Sequence, residues 1–352
     1  MAARTTYHDQ TSVDLTLKLR EVLKTLPDFA RDYFRAIEPT TTARTRLSYA
    51  YDIRVFFQFL SEENPALKDR DIRSLTVDVL DSIKAVDVEE YMEYLKVYKN
   101  PEQHLTTNGE RGIKRKLSSL RSFYTYFYKR EMITTNPLVL IDMPKIHDKN
   151  IVRLDTGEVA AMLDYIEHCG DTLTGQQKVY YEKTKERDLA LVTLLLGTGI
   201  RVSECVGLDV EDLDFRNNGI KVTRKGGNEM VVYFGEEVEK ALKRYLEVRE
   251  GITPVAGHEH ALFYSTQRKR IGVQAVENLV KKYAKQITTS KKITPHKLRS
   301  TYGTALYQET GDIYLVADVL GHRDVNTTRK HYAAMADERR RKAAKAVKLR
   351  EE

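Results

Sequence analysis

The chain has 352 residues, with 58 lysines and arginines against 51 aspartates and glutamates, and a formal net charge of +7. This length is enough for two domains, because single hydrophobic cores rarely grow past ~250 residues. Hydrophobic residues make up 41% of the sequence, and no apolar run approaches the roughly 20 residues of a membrane-spanning helix. The composition therefore excludes a membrane-embedded protein, and the positive charge weakly favours an anionic partner such as nucleic acid.

The N-terminal residues and the cysteines bear on the compartment in which the chain acts. The sequence MAARTTYHDQTSVD lacks the apolar segment of a signal peptide. Cys169 and Cys205 are the only cysteines, and they lie far apart without the spacing of a zinc-binding pair. We therefore expect a cytoplasmic protein with no disulfide framework, no metal and no cofactor.

Helical periodicity dominates the first part of the chain. Apolar residues at steps of three and four predict helices over residues 13–24, 42–60 and 87–98. A polar loop over residues 99–112 follows them, and then a helix over residues 112–129.

The helix over residues 112–129 has an apolar stripe and a basic, hydroxyl-bearing face. The residues on or beside this face, which are candidate DNA contacts, are Arg111, Lys114, Arg115, Ser118, Ser119 and Ser122. Guanidinium and hydroxyl groups along one side of a helix suit a phosphate backbone or a major groove. A solvated basic surface is the alternative, and the pattern alone does not separate the two.

A hydrophilic, proline-containing segment over residues 143–153 predicts a linker after the Asn136-Pro137 pair. Beyond it, periodicity predicts a strand pair within residues 219–234 and a final helix that opens near Asn326 or Thr327. The other predicted helices span residues 156–168, 187–197, 237–249, 272–287, 295–309 and 312–320.

Two short motifs carry charged residues that could take part in chemistry. In TGIRVSE, Gly199 ends an apolar helix, and Arg201 and Glu204 follow three residues apart on one face. In IKVTRKGGNEMVVYF, alternating apolar residues flank a glycine-rich turn that places Lys225 at the tip of a hairpin. A surface ion pair and a solvated lysine are the simplest interpretations, and a proton-donating lysine is the functional one.

Two further motifs lie near the C-terminus. In TPHKLRSTYGTAL, Thr294 fits the N-cap of a helix whose first turns carry His296 and Arg299. Cations are unfavourable at a helix N-terminus unless an anion binds there, so this placement favours an oxyanion site. In LGHRDVNTTRKHY, a helix ends before His322, and Tyr332 lies just inside the next helix. Since the chain has 21 tyrosines, packing is the ordinary role for any one of them.

In this order, the Arg, Lys, His-x-x-Arg, His and Tyr residues resemble the tyrosine recombinase (phage integrase) family, most closely the Xer-type recombinases. The segments TRLSYAYDIRVFFQFL and KRKLSSLRSFYTYFYKREMITTNP are similar to the first and last helices of that family's core-binding domain, so the resemblance covers roughly residues 40–335. Departures are the spacing of ten between His322 and Tyr332, Ser300 in place of a second histidine, a hairpin tip without a further basic residue, and an apparent insertion over residues 170–186.

The resemblance implies a mainly α fold with a small β-hairpin or sheet, arranged as a two-domain DNA clamp. Residues 1–38 would form an N-terminal helical extension, and residues 39–142 a helical, SAM-like core-binding domain. After the linker at residues 143–153, residues 154–352 would form a mixed α/β catalytic domain with a C-terminal tail helix.

The resemblance also implies a reaction in which Tyr332 attacks a DNA phosphodiester and forms a 3′-phosphotyrosyl enzyme. A free tyrosine has a pKa of ~10 and is a poor nucleophile at neutral pH. Arg201 and Arg299 would stabilise the charge that builds up on the two non-bridging oxygens.

The remaining catalytic candidates receive roles by the same resemblance. His296 and His322 would act as proton acceptor and hydrogen-bond donor to the phosphate. Lys225 would protonate the departing 5′-oxygen, and Glu204 would hold its neighbouring arginine in place. The two arginines make a metal ion unnecessary, so we expect activity in EDTA.

The expected partner is double-stranded DNA with an inverted-repeat site, bound by a homotetramer that spans two duplexes. A partner recombinase or accessory protein, and docking of the basic tail on a neighbouring protomer, stay open. The biological role would be chromosome dimer resolution or the integration and excision of a mobile element. Alternatives are a type IB topoisomerase and a non-catalytic DNA-binding regulator on the same scaffold.

Overall fold

The computed structural model describes residues 6–100, 103–146, 152–224, 227–322 and 324–325. Its contacts divide the chain into two compact units, Met1–Asp148 and Lys149–Glu352. Both units are mainly helical, each with one small antiparallel sheet, which confirms the predicted fold class. Among the helices described, none is long and apolar enough to cross a membrane.

The first unit contains six α-helices and a short hairpin in its described part. The helices are α1 (Tyr7–Leu23), α2 (Ala30–Ala36), α3 (Ala43–Glu63), α4 (Val79–Ser82), α5 (Ala85–Tyr94) and α6 (Glu110–Lys129). Strands β1 (Val97–Lys99) and β2 (Leu105–Thr107) pair antiparallel. The predictions of a helix to residue 98 and of a plain loop after it are therefore wrong. The β-branched and aromatic residues at these positions suit a strand pair better than a helix end.

Helices α3 and α6 pack together around a core rich in aromatic rings. Phe57 and Phe123 are fully buried with their ring centroids 6.2 Å apart in edge-to-face geometry. Helix α1 packs against α3, and its Leu19 and Val22 belong to the same core. Helix α1 thus shares the hydrophobic core of this unit, and the exact limits of the domains stay a prediction.

The second unit contains seven α-helices and a three-stranded sheet in its described part. The helices are α7 (Thr156–His168), α8 (Gly175–Thr198), α9 (Val202–Gly207), α10 (Glu236–Glu250), α11 (Val273–Ile287), α12 (Pro295–Thr310) and α13 (Ile313–Leu320). The sheet has the order β3 (Leu213–Asp214), β4 (Gly219–Thr223) and β5 (Glu229–Tyr233), all antiparallel. The predicted final helix lies outside the described residues.

Helix α8 forms the centre of this unit and is longer than the sequence predicts. Its apolar second half is buried and packs against α10 and α12. The hydrophilic residues before it, predicted as an insertion, continue the helix back to Gly175, with Tyr181 and Thr184 buried on one side. These two residues lie three apart, on one face of the helix, and this narrow buried face is what the N-terminal half of α8 packs against the unit, while its other faces are charged.

A buried ionic network anchors the middle of α8. Arg187 donates from Nε and Nη2 to Asp188 Oδ1 at 2.9 and 2.6 Å, and from Nη1 to the Tyr264 carbonyl at 3.0 Å. Tyr283 of α11 donates its hydroxyl to Asp188 Oδ2 at 2.8 Å. Burial and the adjacent carboxylate raise the pKa of Tyr283, which therefore stays a neutral donor. The network joins α8 to α11 through groups that have little access to water.

We predict that Arg187→Met lowers the free energy of unfolding by about 3–5 kcal/mol, because it leaves Asp188 as an unpaired buried charge. The matched control is Lys185→Met on the same helix, whose ion pair with Glu182 is at the surface and should contribute at most about 1 kcal/mol. Urea unfolding followed by circular dichroism measures both. Equal losses in the two variants would show that breaking the buried network costs no more than breaking a surface ion pair.

Candidate active site

Three chain segments meet where α13 ends. Gly199 closes α8 in the left-handed conformation, with φ of 63°, and lies between α12 and α13. A Cβ there would lie 2.4 Å from Tyr302 Cδ1 and 3.0 Å from Leu320 Cδ2. Both the backbone conformation and the close packing therefore require glycine.

The end of α13 is closed by a Schellman motif. The backbone N–H of His322 donates to the Ala317 carbonyl at 2.9 Å, and that of Gly321 donates to the Asp318 carbonyl at 2.8 Å. Gly321 adopts φ of 61°, as this motif requires. These two bonds leave the next carbonyl groups of the helix end to find other donors.

Three arginines supply those donors, one to each carbonyl of Val319–Gly321. Arg224 donates from Nη2 to the Val319 carbonyl at 2.7 Å. Arg299 donates from Nη2 to the Leu320 carbonyl, and Arg201 donates from Nη2 to the Gly321 carbonyl at 3.2 Å. A helix C-terminus carries partial negative charge, so cations are favourable there. The end of α13 thus gathers three guanidinium groups from three different parts of the chain.

Arg201 is fixed by a buried carboxylate. It precedes α9, and its Nη1 donates to Glu204 Oε1 at 2.7 Å, while its backbone N–H donates to Glu204 Oε2 at 2.8 Å. The Glu204 side chain is 3% exposed and that of Arg201 is 37% exposed. One edge of the guanidinium is therefore held inside the protein, while part of the group reaches the surface.

Arg299 lies almost completely inside the protein. Besides the Leu320 carbonyl, it donates from Nη1 to the carbonyl of Gly199 at 2.6 Å. Helix α12 begins with Pro295 in its first turn, as predicted, and His296 is exposed there, three residues before this arginine. Ser300 donates its hydroxyl to the His296 carbonyl at 3.1 Å, so its side chain is engaged with its own helix.

Of the predicted catalytic residues, the structure brings Arg201, Glu204 and Arg299 together, with half-buried His322 immediately after the bound carbonyls. Lys225 and Tyr332 lie outside the described residues. Their roles, like the catalytic roles of the others, stay predictions.

Arg224 belongs to this cluster and was not singled out in the sequence. It follows β4, where Ile220 and Val222 are buried, and it is in phase with them in the alternation of the strand. The sequence feature that could have indicated its role is a basic residue at a position whose strand neighbours, in phase with it, are apolar and buried. Burial lowers the pKa of the Arg224 guanidinium and Arg201 lowers it further, while Glu204 opposes the shift. Arginine nevertheless stays charged at neutral pH.

This arrangement is suited to binding a phosphodiester. A guanidinium presents five N–H donors in a planar fork, so one arginine can hold a carbonyl and a phosphate oxygen together. Within the described ranges, no group of His, Cys, Asp and Glu side chains could hold a metal ion. The positive charge at the described part of the site comes from arginines.

The predicted DNA-contact residues of α6 differ in exposure. Arg111, Arg115 and Ser118 are exposed, and Lys114 and Ser122 are half-buried. The prediction for Ser119 needs correction. It is 0% exposed, and its hydroxyl donates to Asp52 Oδ2 at 2.6 Å, so it supports the helix from inside and does not face solvent.

A buried carboxylate also organises this face of the first unit. Asp52 of α3, with its side chain 1% exposed, accepts from both Nη atoms of Arg115, and Lys116 Nζ lies 3.4 Å from Oδ1. Arg115 also donates to the Ser48 hydroxyl at 2.7 Å. Ser122 accepts from the Tyr33 hydroxyl at 2.9 Å. The arginine is thus held in one orientation although about half of its side chain is exposed.

Comparison with known proteins gives a consistent result. The model of the phage integrase family matches residues 152–339. The tyrosine recombinase XerC of Caldanaerobacter subterraneus subsp. tengcongensis is 32% identical over 347 residues, which cover 96% of this chain and 91% of the relative. The tyrosine recombinase XerS of Lactococcus lactis subsp. cremoris is 31% identical over 333 residues, with 88% and 92% covered.

Among solved structures, the XerH site-specific recombinase bound to palindromic difH substrate, a post-cleavage complex, matches with a TM-score of 0.63. The identity is 20%, and the match covers 87% of this chain and 80% of that one. At this identity the likeness concerns the fold. With the family model and the two relatives, it shows that the chain belongs to the phage integrase family of tyrosine recombinases.

Proposed function

We propose that the protein is a site-specific DNA recombinase that cleaves and rejoins strands through a 3′-phosphotyrosyl intermediate on Tyr332. The observation that carries this proposal is the convergence of Arg201 and Arg299 on the end of α13. His322 follows that end directly, and Tyr332 comes ten residues later in the sequence. The relatives over most of the chain are tyrosine recombinases by name.

In the cleavage step, the Tyr332 oxygen bonds to phosphorus and the bond from phosphorus to the 5′-oxygen breaks. The tyrosine proton passes to a histidine, for which His296 is the candidate, and Lys225 gives a proton to the departing 5′-oxygen. Arg201 and Arg299 stabilise the charge on the non-bridging oxygens. The phosphoester bond is kept on the enzyme, so attack by another 5′-hydroxyl rejoins DNA without ATP.

The arginines provide the positive charge that this step needs, so the reaction proceeds in EDTA. The same proposal also specifies the assembly and the biological role. Four copies of the chain bind two DNA duplexes at an inverted-repeat site in the cytoplasm. Whether a partner recombinase or an accessory protein also takes part stays open. The names of the relatives favour an Xer-type role in resolving chromosome dimers, and movement of a mobile element is the other role with the same chemistry.

The nucleophile can be tested by trapping DNA on the protein. Wild type should form a covalent DNA adduct in EDTA that survives denaturation, and Tyr332→Phe should form none, because it lacks the attacking oxygen. Tyr314→Phe is the matched control, since Tyr314 is 71% exposed on α13 and should react as wild type. The protein is expressed in cells that carry the source genome, and the attached DNA is sequenced.

The position of the attached DNA distinguishes the alternatives. Attachment at a discrete inverted repeat supports site-specific recombination. Attachment scattered over many sequences would indicate a topoisomerase-like activity. Salt-sensitive DNA binding with no adduct from wild type would contradict the proposal and favour a DNA-binding regulator.

We predict that Arg201→Lys and Arg299→Lys each lower the rate of single-turnover cleavage by about 100–1,000-fold, because each loses a forked donor that stabilises the transition state. Arg216→Lys, at an exposed turn of the same unit, is the control and should leave the rate unchanged. A nicked duplex carrying the recovered site is the substrate. A loss below tenfold in both variants would remove these arginines from the chemistry.

The fixed orientation of Arg115 predicts a role in reading bases. A guanidinium held on one edge by Asp52 can present its other edge to a guanine in the major groove, which gives about 1–3 kcal/mol of discrimination. Arg115→Lys should therefore lower binding to the recovered site more than to unrelated DNA, as measured by fluorescence anisotropy. Arg111→Lys on the same helix should weaken both equally. Equal losses for Arg115→Lys would assign it to the phosphate backbone instead.

A further inference from the structure

Arg224 occupies the junction between the β4–β5 hairpin and the rest of the site. Its backbone N–H donates to the Asn228 carbonyl at 2.8 Å, and its carbonyl accepts from Gly227 at 3.0 Å. The residue therefore continues the hairpin pairing one step beyond β4. Its backbone is fixed on the hairpin while its side chain reaches α13.

The guanidinium of Arg224 lies directly against the backbone of Gly321. A Cβ at Gly321 would be 1.2 Å from Arg224 Nη1 and 2.2 Å from its Cζ, so no other residue fits without moving the arginine. Nη2 donates to the Val319 carbonyl at 2.7 Å. Nε is buried and has no hydrogen-bond partner among the described residues. This side chain is packed against the helix end, which an exposed basic residue would not be.

The contact of Arg224 with α13 lies next to the carbonyl groups that hold the two proposed phosphate-binding arginines, so it can affect more than the stability of the helix end. Arg224 holds the carbonyl of residue 319, and the two arginines proposed to bind phosphate hold those of residues 320 and 321. The next residue, His322, is bonded through its backbone N–H to the same helix end. Moving the end of α13 would therefore displace His322 and also change the carbonyl partners of Arg201 and Arg299.

We propose that Arg224 is a positioning residue for strand cleavage, which anchors the end of α13 to the β4–β5 hairpin and so holds His322 in register with the two phosphate-binding arginines. The cleavage part of this inference rests on the proposed function, whereas the anchoring part does not. Arg224 acts through His322 and makes no contact with the phosphate itself. Losing it should slow chemistry and leave DNA binding intact.

The test compares Arg224→Met with Lys221→Met, an exposed position on β4 with surface partners. Amide hydrogen exchange over residues 317–322 should be faster in Arg224→Met and unchanged in the control. This measurement needs no DNA and no activity. If amide exchange is unchanged in Arg224→Met, the proposal that Arg224 anchors α13 is wrong, whether or not the protein cleaves DNA.

Single-turnover cleavage of the nicked duplex tests the second part. At saturating DNA, Arg224→Met should cleave about 10–100-fold more slowly, because small displacements of catalytic groups have costs of that order, while the half-saturating DNA concentration and the melting temperature stay near those of wild type. A rise in the half-saturating concentration would instead make Arg224 a DNA ligand. A slower rate accompanied by a clear fall in the melting temperature below that of wild type would make Arg224 a structural residue.

A double-mutant cycle identifies the residue through which Arg224 acts. If it acts through His322, Arg224→Met should cost little further in a His322→Gln background, because coupled residues are not additive. Full additivity of the two losses would overturn the proposal. If wild type forms no adduct, the proposed function fails, and the exchange measurement still decides the anchoring.

Discussion

The structure of the candidate site depends on how one helix end is satisfied. Helix α13 stops at a Schellman turn, and the carbonyl groups of Val319, Leu320 and Gly321 accept from arginines that lie just after β4, in α12 and just before α9. Unpaired carbonyls at a helix end are costly when buried, and they concentrate partial negative charge. One short helix thereby becomes the reference point for side chains that lie up to 120 residues away from its end in sequence. Gly199 and Gly321 are part of the same constraint, since a Cβ at either would enter this space.

Holding the arginines in this way has an electrostatic consequence. Guanidinium groups repel one another, and here the helix-end carbonyls and the buried Glu204 offset that repulsion before any substrate arrives. Stabilisation of a transition state is most effective when donors need no reorganisation at the moment of reaction. The folded chain therefore assembles Arg201 and Arg299 at one place in advance. Their charge is partly offset by the partial negative charge of the helix end, and a phosphate group bound as proposed would offset it further.

The sequence predicted helices well where their periodicity was strong, as at residues 156–168 and 295–309. It failed at residues 97–107, where a short hairpin depends on pairing that no helical period reveals. The order of the motifs pointed to Arg201 and Arg299. The carbonyl groups that hold them at the end of α13 could not be predicted, because they are far away in sequence. Arg224 was missed because its inward position matters only once α13 is in place. Ser119 was assigned to the wrong side because its partner, Asp52, is 67 residues away.

The two units orient an arginine by the same physical device. In each, a carboxylate that is 1–3% exposed binds a guanidinium whose side chain is 37–47% exposed. Asp52 accepts from both Nη atoms of Arg115, whereas Glu204 accepts from Nη1 and from the backbone N–H of Arg201. Burying such a carboxylate carries a desolvation cost that the ion pair recovers only in part, so the pair is a poor source of stability. Its benefit is geometric, because a guanidinium held by a buried carboxylate offers its remaining donors in a restricted direction. A flexible arginine would have to lose that freedom on binding DNA. Fixing the guanidinium in the folded chain moves this entropic cost from ligand binding to folding, which suits the roles proposed for Arg115 and Arg201.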